Sequence, residues 1–215
     1  MTTTTLSREQ RELALARVRE AGLEDRVTIL LDDYRELTGT YDKLVSIEMI
    51  EAVGWKDFGT FFEVCSKLLR PDGVMALQVI TIDDRLYEVE KAQRSFMNSL
   101  IFPNGCLPSL EVIARNVARR SDMTMVDLED ITPHYAETLR RWRANVEAHT
   151  SRLGEMGYDE RFQRLWRLYL SFCEAGFTER RIGSVQIVLG KPRWRGHLAT
   201  AEAAAPPSLV SAAGA

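Results

Sequence analysis

Two carboxylates three residues apart, Glu48 and Glu51, follow a short apolar run in Ser46-Ile47-Glu48-Met49-Ile50-Glu51-Ala52-Val53-Gly54. At a strand end such a pair can move a proton or orient another group. An exposed helix N-terminus also favours acids, but that reading accounts poorly for a carboxylate inside Met49–Val53. Asp32-Asp33-Tyr34 closes another apolar run. In open α/β sheets ligands bind outside the carboxyl ends of strands; there a carboxylate can hold an adenine amino group and an aromatic ring can cover the base. A solvated acidic turn is the competing reading. Phe162, Leu165, Trp166, Tyr169, Cys173 and Phe177 recur at helical spacing. Such a stripe is core in most proteins, although aromatic faces also stabilise a passing carbocation. Arg115, Arg119 and Arg120, and then Arg140, Arg141 and Arg143, form basic clusters that suit either a solvated face or anionic lipid.

The elements that must position these residues are legible in outline. Ser7 and Gln10 fit a capping box opening a helix from Ser7 to Ala21, with Gly22 as its terminator. Val27–Leu31 and Leu44–Ile47 read as strands, Asp57–Leu69 as an amphipathic helix, and Pro71-Asp72-Gly73 as a turn into a strand over Val74–Ile82. Helices over about 85–122 are broken by Phe102-Pro103-Asn104-Gly105-Cys106-Leu107-Pro108. A strand near Met123–Leu128, helices over about 135–153 and 158–176, and a strand over Ser184–Leu189 follow. This alternation predicts an α/β fold with a largely parallel sheet. From Gly196 onward the chain is rich in Ala, Pro and Ser and reads as disordered.

Composition narrows the function classes. The 215 residues are 45% hydrophobic and 27% charged, with a net charge of −3, which is globular and gives no field that favours nucleic acid. Cys65, Cys106 and Cys173 are scattered, with no CxxC pair, so neither a zinc site nor a disulfide framework is expected. No signal peptide or membrane-length apolar run is visible, which reads as a cytoplasmic protein touching membrane only peripherally. No GxGxG or GxGxxG is present; Met1–Leu6 leads straight into a helix, without the loop that usually faces a nucleotide-type cofactor.

Several strings together resemble the cyclopropane-fatty-acyl-phospholipid synthases and mycolic-acid cyclopropane synthases. They are Thr5-Leu6-Ser7-Arg8-Glu9-Gln10, Asp32-Asp33-Tyr34, Tyr41–Ile47 with Met49–Gly54, Leu69-Arg70-Pro71-Asp72-Gly73, Tyr169–Phe177 and, most specifically, Ile101–Ser109. The resemblance spans about residues 4–192. It implies an α/β, Rossmann-like S-adenosylmethionine-dependent methyltransferase fold, truncated at the N-terminus, with a helical lipid-binding insertion. The domain would run over 1–192, with the insertion at about 84–122 and a helical pair at about 135–176, before a disordered tail over 193–215.

The implied reaction is methylene transfer from S-adenosylmethionine to the double bond of an unsaturated phospholipid acyl chain, forming a cyclopropane. The same carbocation route also leads to methyl- or methylene-branched chains, and a catalytically dead remnant is the reading of another class. By resemblance the catalytic set is Cys173, Glu51, Tyr135, Gln78 and Ile80, with Glu51, Tyr135 and the Ile80 backbone holding a bicarbonate ion. The cofactor set is Thr5, Leu6, Ser7, Gln10, Asp32, Asp33 and Tyr34. No metal is implied. The expected partner is acyl phospholipid at the inner membrane surface, and a homodimer is compatible. Gln78 departs from the family's usual His and leaves the product open. The family's first strand and glycine loop have no counterpart, so an unpaired sheet edge and weak cofactor binding are expected.

Overall fold

The structure is a computed structural model and describes residues 1–196; most of the Ala-, Pro- and Ser-rich tail therefore lies outside the described residues. Strand β1 (Thr2–Thr4) and strand β2 (Thr28–Leu30) form a parallel pair linked by helix α1 (Arg8–Glu20). Ser7 caps α1 by accepting the Gln10 N–H at 3.1 Å. The reciprocal half of the expected capping box runs through a third residue. The Ser7 N–H donates to Thr5 Oγ1, and the Thr5 hydroxyl donates to Gln10 Oε1 at 2.7 Å. Gly22, at φ +63°, ends the helix in the left-handed region that glycine occupies freely.

The main sheet contains β3 (Tyr41–Ile47), β4 (Leu69–Ile82), β5 (Thr124–Asp130) and β6 (Ile182–Gly190) in the order β3-β4-β6-β5. Only β3 and β4 are parallel; β6 runs opposite to both of its neighbours. The sheet is therefore mixed rather than largely parallel, because apolar periodicity identifies a strand without its direction. The β1–β2 pair is a separate sheet, which leaves β3 as an edge strand with Val45 and Ile47 exposed. Pro71–Gly73 lies inside β4 as an irregular stretch: Tyr41 pairs with Leu69, and the ladder resumes at Lys43 and Val74.

Helix α2 (Ile50–Val53) follows β3, and helix α3 (Phe58–Leu68) packs with α5 (Leu110–Arg120) on one face of the sheet. The short α4 (Tyr87–Ala92) and a π-helical turn over Met97–Ile101 lie between. The main core joins Phe58, Phe61, Phe62, Val112, Ile113 and Val117 to Met75, Leu77 and Val79 of β4. Helix α6 (Thr132–Ala148), α7 (Thr150–Glu155) and α8 (Glu160–Thr178) lie between β5 and β6; the helix expected over 135–153 breaks at His149. Leu139, Leu170, Cys173 and Phe177 form a second core, against which Ile80, Tyr135 and Tyr169 pack. No helix among the described residues is long and apolar enough to cross a membrane.

Candidate active site

The parallel register of β3 and β4 sets Ile47 beside Gln78, and β4 continues for four residues past that point. The chain turns out of β3 at Glu48, held at φ +52°, with its N–H donating to the Gln78 carbonyl. Beyond the end of β3, the Ile80 N–H has lost its strand partner. It donates instead to Glu51 Oε1 at 2.6 Å. Ile50, fully buried, anchors the turn between the two acids in the main core.

The Phe102–Ser109 string closes this turn from outside. The Cys106 N–H donates to the Glu51 carbonyl at 2.9 Å, and the Pro108 carbonyl accepts from Ile82. A Cβ at Gly105 would meet the Phe102 carbonyl at 3.0 Å, so the glycine permits a close approach here.

Glu48 joins a hydrogen-bonded chain across the sheet. Gln186 Nε2 donates to Gln78 Oε1 at 2.8 Å, Gln78 Nε2 donates to Glu48 Oε1 at 2.9 Å, and the Tyr135 hydroxyl donates to Glu48 Oε2 at 2.7 Å. The Tyr135 ring stacks on Phe177 at 4.6 Å. Burial, reinforced by Glu48, pushes the Tyr135 phenol far above its ordinary range, so it stays a donor. Tyr169, Cys173 and Phe177 continue the wall. Burial raises the Cys173 thiol to about 11, which keeps it protonated and unreactive near neutrality.

Glu51 is the electrostatically unusual group. Burial, opposed in part by the Ile80 and Glu51 N–H groups, pushes its carboxyl up to about 7, and its Oε2 is buried without a partner. This has a stability consequence. The raised value means the folded chain binds more protons than the unfolded chain between about pH 4.5 and 7, so stability falls as pH rises through that window. Glu51→Gln keeps an acceptor for Ile80 and removes the buried charge. The variant is expected to be more stable than the parent at pH 8, by on the order of 1–3 kcal/mol, with little difference at pH 4. Urea unfolding at both values checks this; a variant less stable at pH 8 contradicts it.

The structure brings Glu51, Gln78, Ile80, Tyr135 and Cys173 into one neighbourhood, although the Tyr135 hydroxyl bonds Glu48 rather than Glu51. The cofactor set lies apart, at the carboxyl ends of β1 and β2. There Thr4 Oγ1 donates to the Asp32 carbonyl, and Thr5, Ser7 and Gln10 form the cap of α1. Leu6 and Asp32 are exposed. Asp33 is held by the Arg35 guanidinium and N–H, which draw its carboxyl down to about 2. Tyr34 turns inward, its ring edge-on to Phe61 at 6.0 Å, rather than standing free to cover a base. Glu48 and Gln186 were not in the set the resemblance assigned. Glu48 stood out as one of the acid pair, but Gln186 carries no signal until the β4–β6 register places it opposite Gln78. Among the described residues no group of His, Cys, Asp and Glu is arranged to hold a metal. A cleft of about 450 Å³ beyond the end of β4 offers little chemistry, since Asp83 pairs with Arg85 and Asp130 with Arg180.

The sequence pattern of the family described as mycolic acid cyclopropane synthetase matches residues 1–187. Tuberculostearic acid methyltransferase UfaA1 of Mycobacterium tuberculosis is 42% identical over 173 residues, covering 80% of this chain and 40% of the relative. The cyclopropane-fatty-acyl-phospholipid synthase of Escherichia coli is 35% identical over 187 residues, covering 87% of this chain and 46% of the relative. The chain thus spans somewhat under half the length of these curated relatives. The crystal structure of mycolic acid cyclopropane synthase CmaA1 complexed with SAH and CTAB superposes with a TM-score of 0.81 at 26% identity, covering 88% of this chain and 69% of that one. The cyclopropane synthase MmaA2 of Mycobacterium tuberculosis superposes at 0.76 and 28% identity, with the same coverage.

Proposed function

This chain belongs to the mycolic acid cyclopropane synthetase family and has the Rossmann-like fold of its S-adenosylmethionine-dependent methyltransferases, and from that premise we propose that it transfers a one-carbon unit from S-adenosylmethionine to the double bond of an unsaturated phospholipid acyl chain. The observation that carries this reading is the buried acid at Glu51, with its free Oε2, near enough to the Tyr135 phenol to act on it electrostatically. The π electrons of the alkene attack the sulfonium methyl carbon. The carbon–sulfur bond breaks, S-adenosylhomocysteine leaves, and a carbocation remains. Loss of a proton from the transferred carbon closes a cyclopropane ring.

The residues divide this work. The rings of Tyr169 and of Tyr135, whose other face is stacked on Phe177, would meet the cation, where a ring quadrupole is attractive. Glu51 presents one acceptor to the site while its other oxygen is fixed by Ile80. Bicarbonate fits here on one count: Oε2 lacks a donor, and the hydroxyl of that ion is one. Glu51 Oε2 would take that hydroxyl, the Tyr135 hydroxyl and the Ile80 N–H being given to Glu48 and Glu51 in this structure, and when bound the ion supplies a proton acceptor for ring closure. Of the two acids after β2, Asp32 is the better placed to accept from the cofactor, because Asp33 is committed to Arg35.

A second reading rests on Gln78 and on the similarity to a tuberculostearic acid methyltransferase: the same cation, after a hydride shift, loses a proton from the transferred carbon to give a methylene branch, or loses a proton from a chain carbon to give a methyl-branched alkene. One experiment tests both. The chain is incubated with S-adenosylmethionine bearing a trideuterated methyl group and with monounsaturated phospholipid, and the acyl chains are analysed by mass spectrometry. A cyclopropane and a methylene branch each retain two deuterons and are told apart by hydrogenation, which reduces only the alkene under mild conditions, whereas a methyl-branched alkene retains all three; no incorporation refutes the proposal. Cys173→Ser is expected to keep turnover within about tenfold of the parent in this assay, since a thiol at about 11 serves packing. Complete loss with the fold intact would give the sulfur an essential role.

A further inference from the structure

The basic clusters that the sequence offers to lipid are mostly spent within the protein. Arg140 and Arg141 both close on Glu137, Arg143 pairs with Glu174 and Glu147, and Arg115 pairs with Glu111. Arg119 and Arg120 line a shallow surface with Ser66 and Lys191, at the end of the sheet away from Glu51. A different surface combines free cations with exposed apolar groups. Leu100 is 62% exposed, Phe102 52%, Leu168 54% and Phe172 49%. Leu168 and Phe172 stand one turn apart on α8, and Leu100 and Phe102 lie in and just after the π-helical turn that meets it. Phe96 packs edge-on to Phe172 at 5.1 Å, and Phe102 packs edge-on to Tyr169 at 5.7 Å, so the π-helical turn lies across α8.

We propose that the ridge of Leu100, Phe102, Leu168 and Phe172, flanked by Arg94 and Arg161, is the face that docks this protein on an anionic lipid bilayer. Along α8, residues 161, 165, 168 and 172 fall at helical spacing, so Arg161, Leu168 and Phe172 share one side. Arg94 lies two residues before Phe96. Neither arginine has an ion-pair partner among the described residues; of the nearby acids, Glu88 and Glu160 are taken by Lys91 and Arg164, Asp159 caps α8 through the Phe162 N–H, and Glu90 is half-buried. The rim is therefore positive and the crest aromatic and aliphatic, the composition of a surface seated at the headgroup boundary.

The same charges argue against a second copy as occupant. Ridge on ridge would bring the unpaired arginines of both copies together, with Asp159 engaged as the cap of α8. Position also favours lipid. Tyr169 lies between Phe102 and the wall of the candidate site, so an acyl chain lifted from a docked bilayer would arrive beside Cys173 and Tyr135. This last step rests on the proposed acyl substrate; the docking face itself does not.

The test is sedimentation of the full chain with phosphatidylcholine vesicles, with and without about a third phosphatidylglycerol, in the absence of S-adenosylmethionine. Binding to the anionic vesicles is expected, falling with salt. Leu100→Ser with Leu168→Ser, and separately Arg94→Gln with Arg161→Gln, are expected to weaken it by on the order of tenfold or more, with circular dichroism unchanged. Arg140→Gln is expected to leave it as it is. Because all six are exposed, the milder Leu168→Ala serves if the serine pair fails to fold. No vesicle binding, binding indifferent to both pairs, or a ridge substitution that dissociates a dimer would overturn the proposal. Binding through the ridge without labelled lipid would sink the reaction and spare the face. Labelling of detergent-dispersed lipid by a chain that ignores vesicles would do the reverse.

Discussion

Glu51→Gln is expected to lower turnover by on the order of 10²–10³ while leaving the fold intact. The reason is a count of acceptors. The carboxylate has two oxygens; one takes the Ile80 N–H at 2.6 Å and the other is buried and free for a donor in the site. Glutamine has only one acceptor. If its oxygen serves Ile80, its NH₂ group faces a place that calls for an acceptor. If it flips, two donors meet at Ile80. Either way one of the two interactions is lost in a dry environment, where an unmet polar contact is costly. The ionised form is the one with two acceptors, so the parent rate should rise as pH increases through about 7, and the variant should lose that rise. The product assay run from pH 5.5 to 9 reads both effects. A variant with parental turnover and an unchanged pH profile would make Glu51 a structural residue. Greater stability of the same variant at pH 8 would show that the parent carries a buried charge at a cost to its fold, a common exchange at functional sites.

Much of this arrangement could be read before any coordinates. Ser7, Gln10 and Gly22 mark the ends of α1 through local hydrogen bonding and a backbone angle, both functions of a few adjacent residues. Phe58, Phe61, Phe62, Cys65 and Leu68 announce the buried face of α3 by spacing alone. The acid pair was visible because a carboxylate inside Met49–Val53 is out of keeping with its neighbours. What escaped depends on register or on meetings between distant segments. The direction of β6 leaves no trace in apolar alternation, and with it goes the Gln78–Gln186 contact. The resemblance sets Tyr135 with Glu51 around a bicarbonate ion; in the structure its hydroxyl donates to Glu48, and residue type does not decide between two acids three apart. Tyr34 reads as a free aromatic ring beside two acids, yet it packs edge-on to Phe61 against the main core. The Phe102–Ser109 string was recognised as specific without a reason; its reason is the Cys106 N–H on the Glu51 carbonyl and the close approach at Gly105.

The platform beneath the acids is itself open to test, and Phe62→Ala is expected to destabilise the fold by about 3–5 kcal/mol. Phe62 is fully buried and meets the Phe61 ring edge-on at 5.2 Å, so truncation removes core contacts and an aromatic pair together. Helix α3 has little freedom to collapse into the void. It is held at one end by the Phe61 N–H on the Asp57 carbonyl and runs directly into β4 at the other. A loss of that size is a large share of the 5–15 kcal/mol typical of a domain. The damage should therefore reach the site by loosening the β3–β4 pair that sets Glu48 and Glu51 beside Gln78 and Ile80. Phe172→Ala provides the contrast, because its half-exposed ring shields far less core, and its cost is expected to stay within about 1 kcal/mol. Urea unfolding of the two variants beside the parent measures both. Equal costs would mean that α3 is not the support assigned to it.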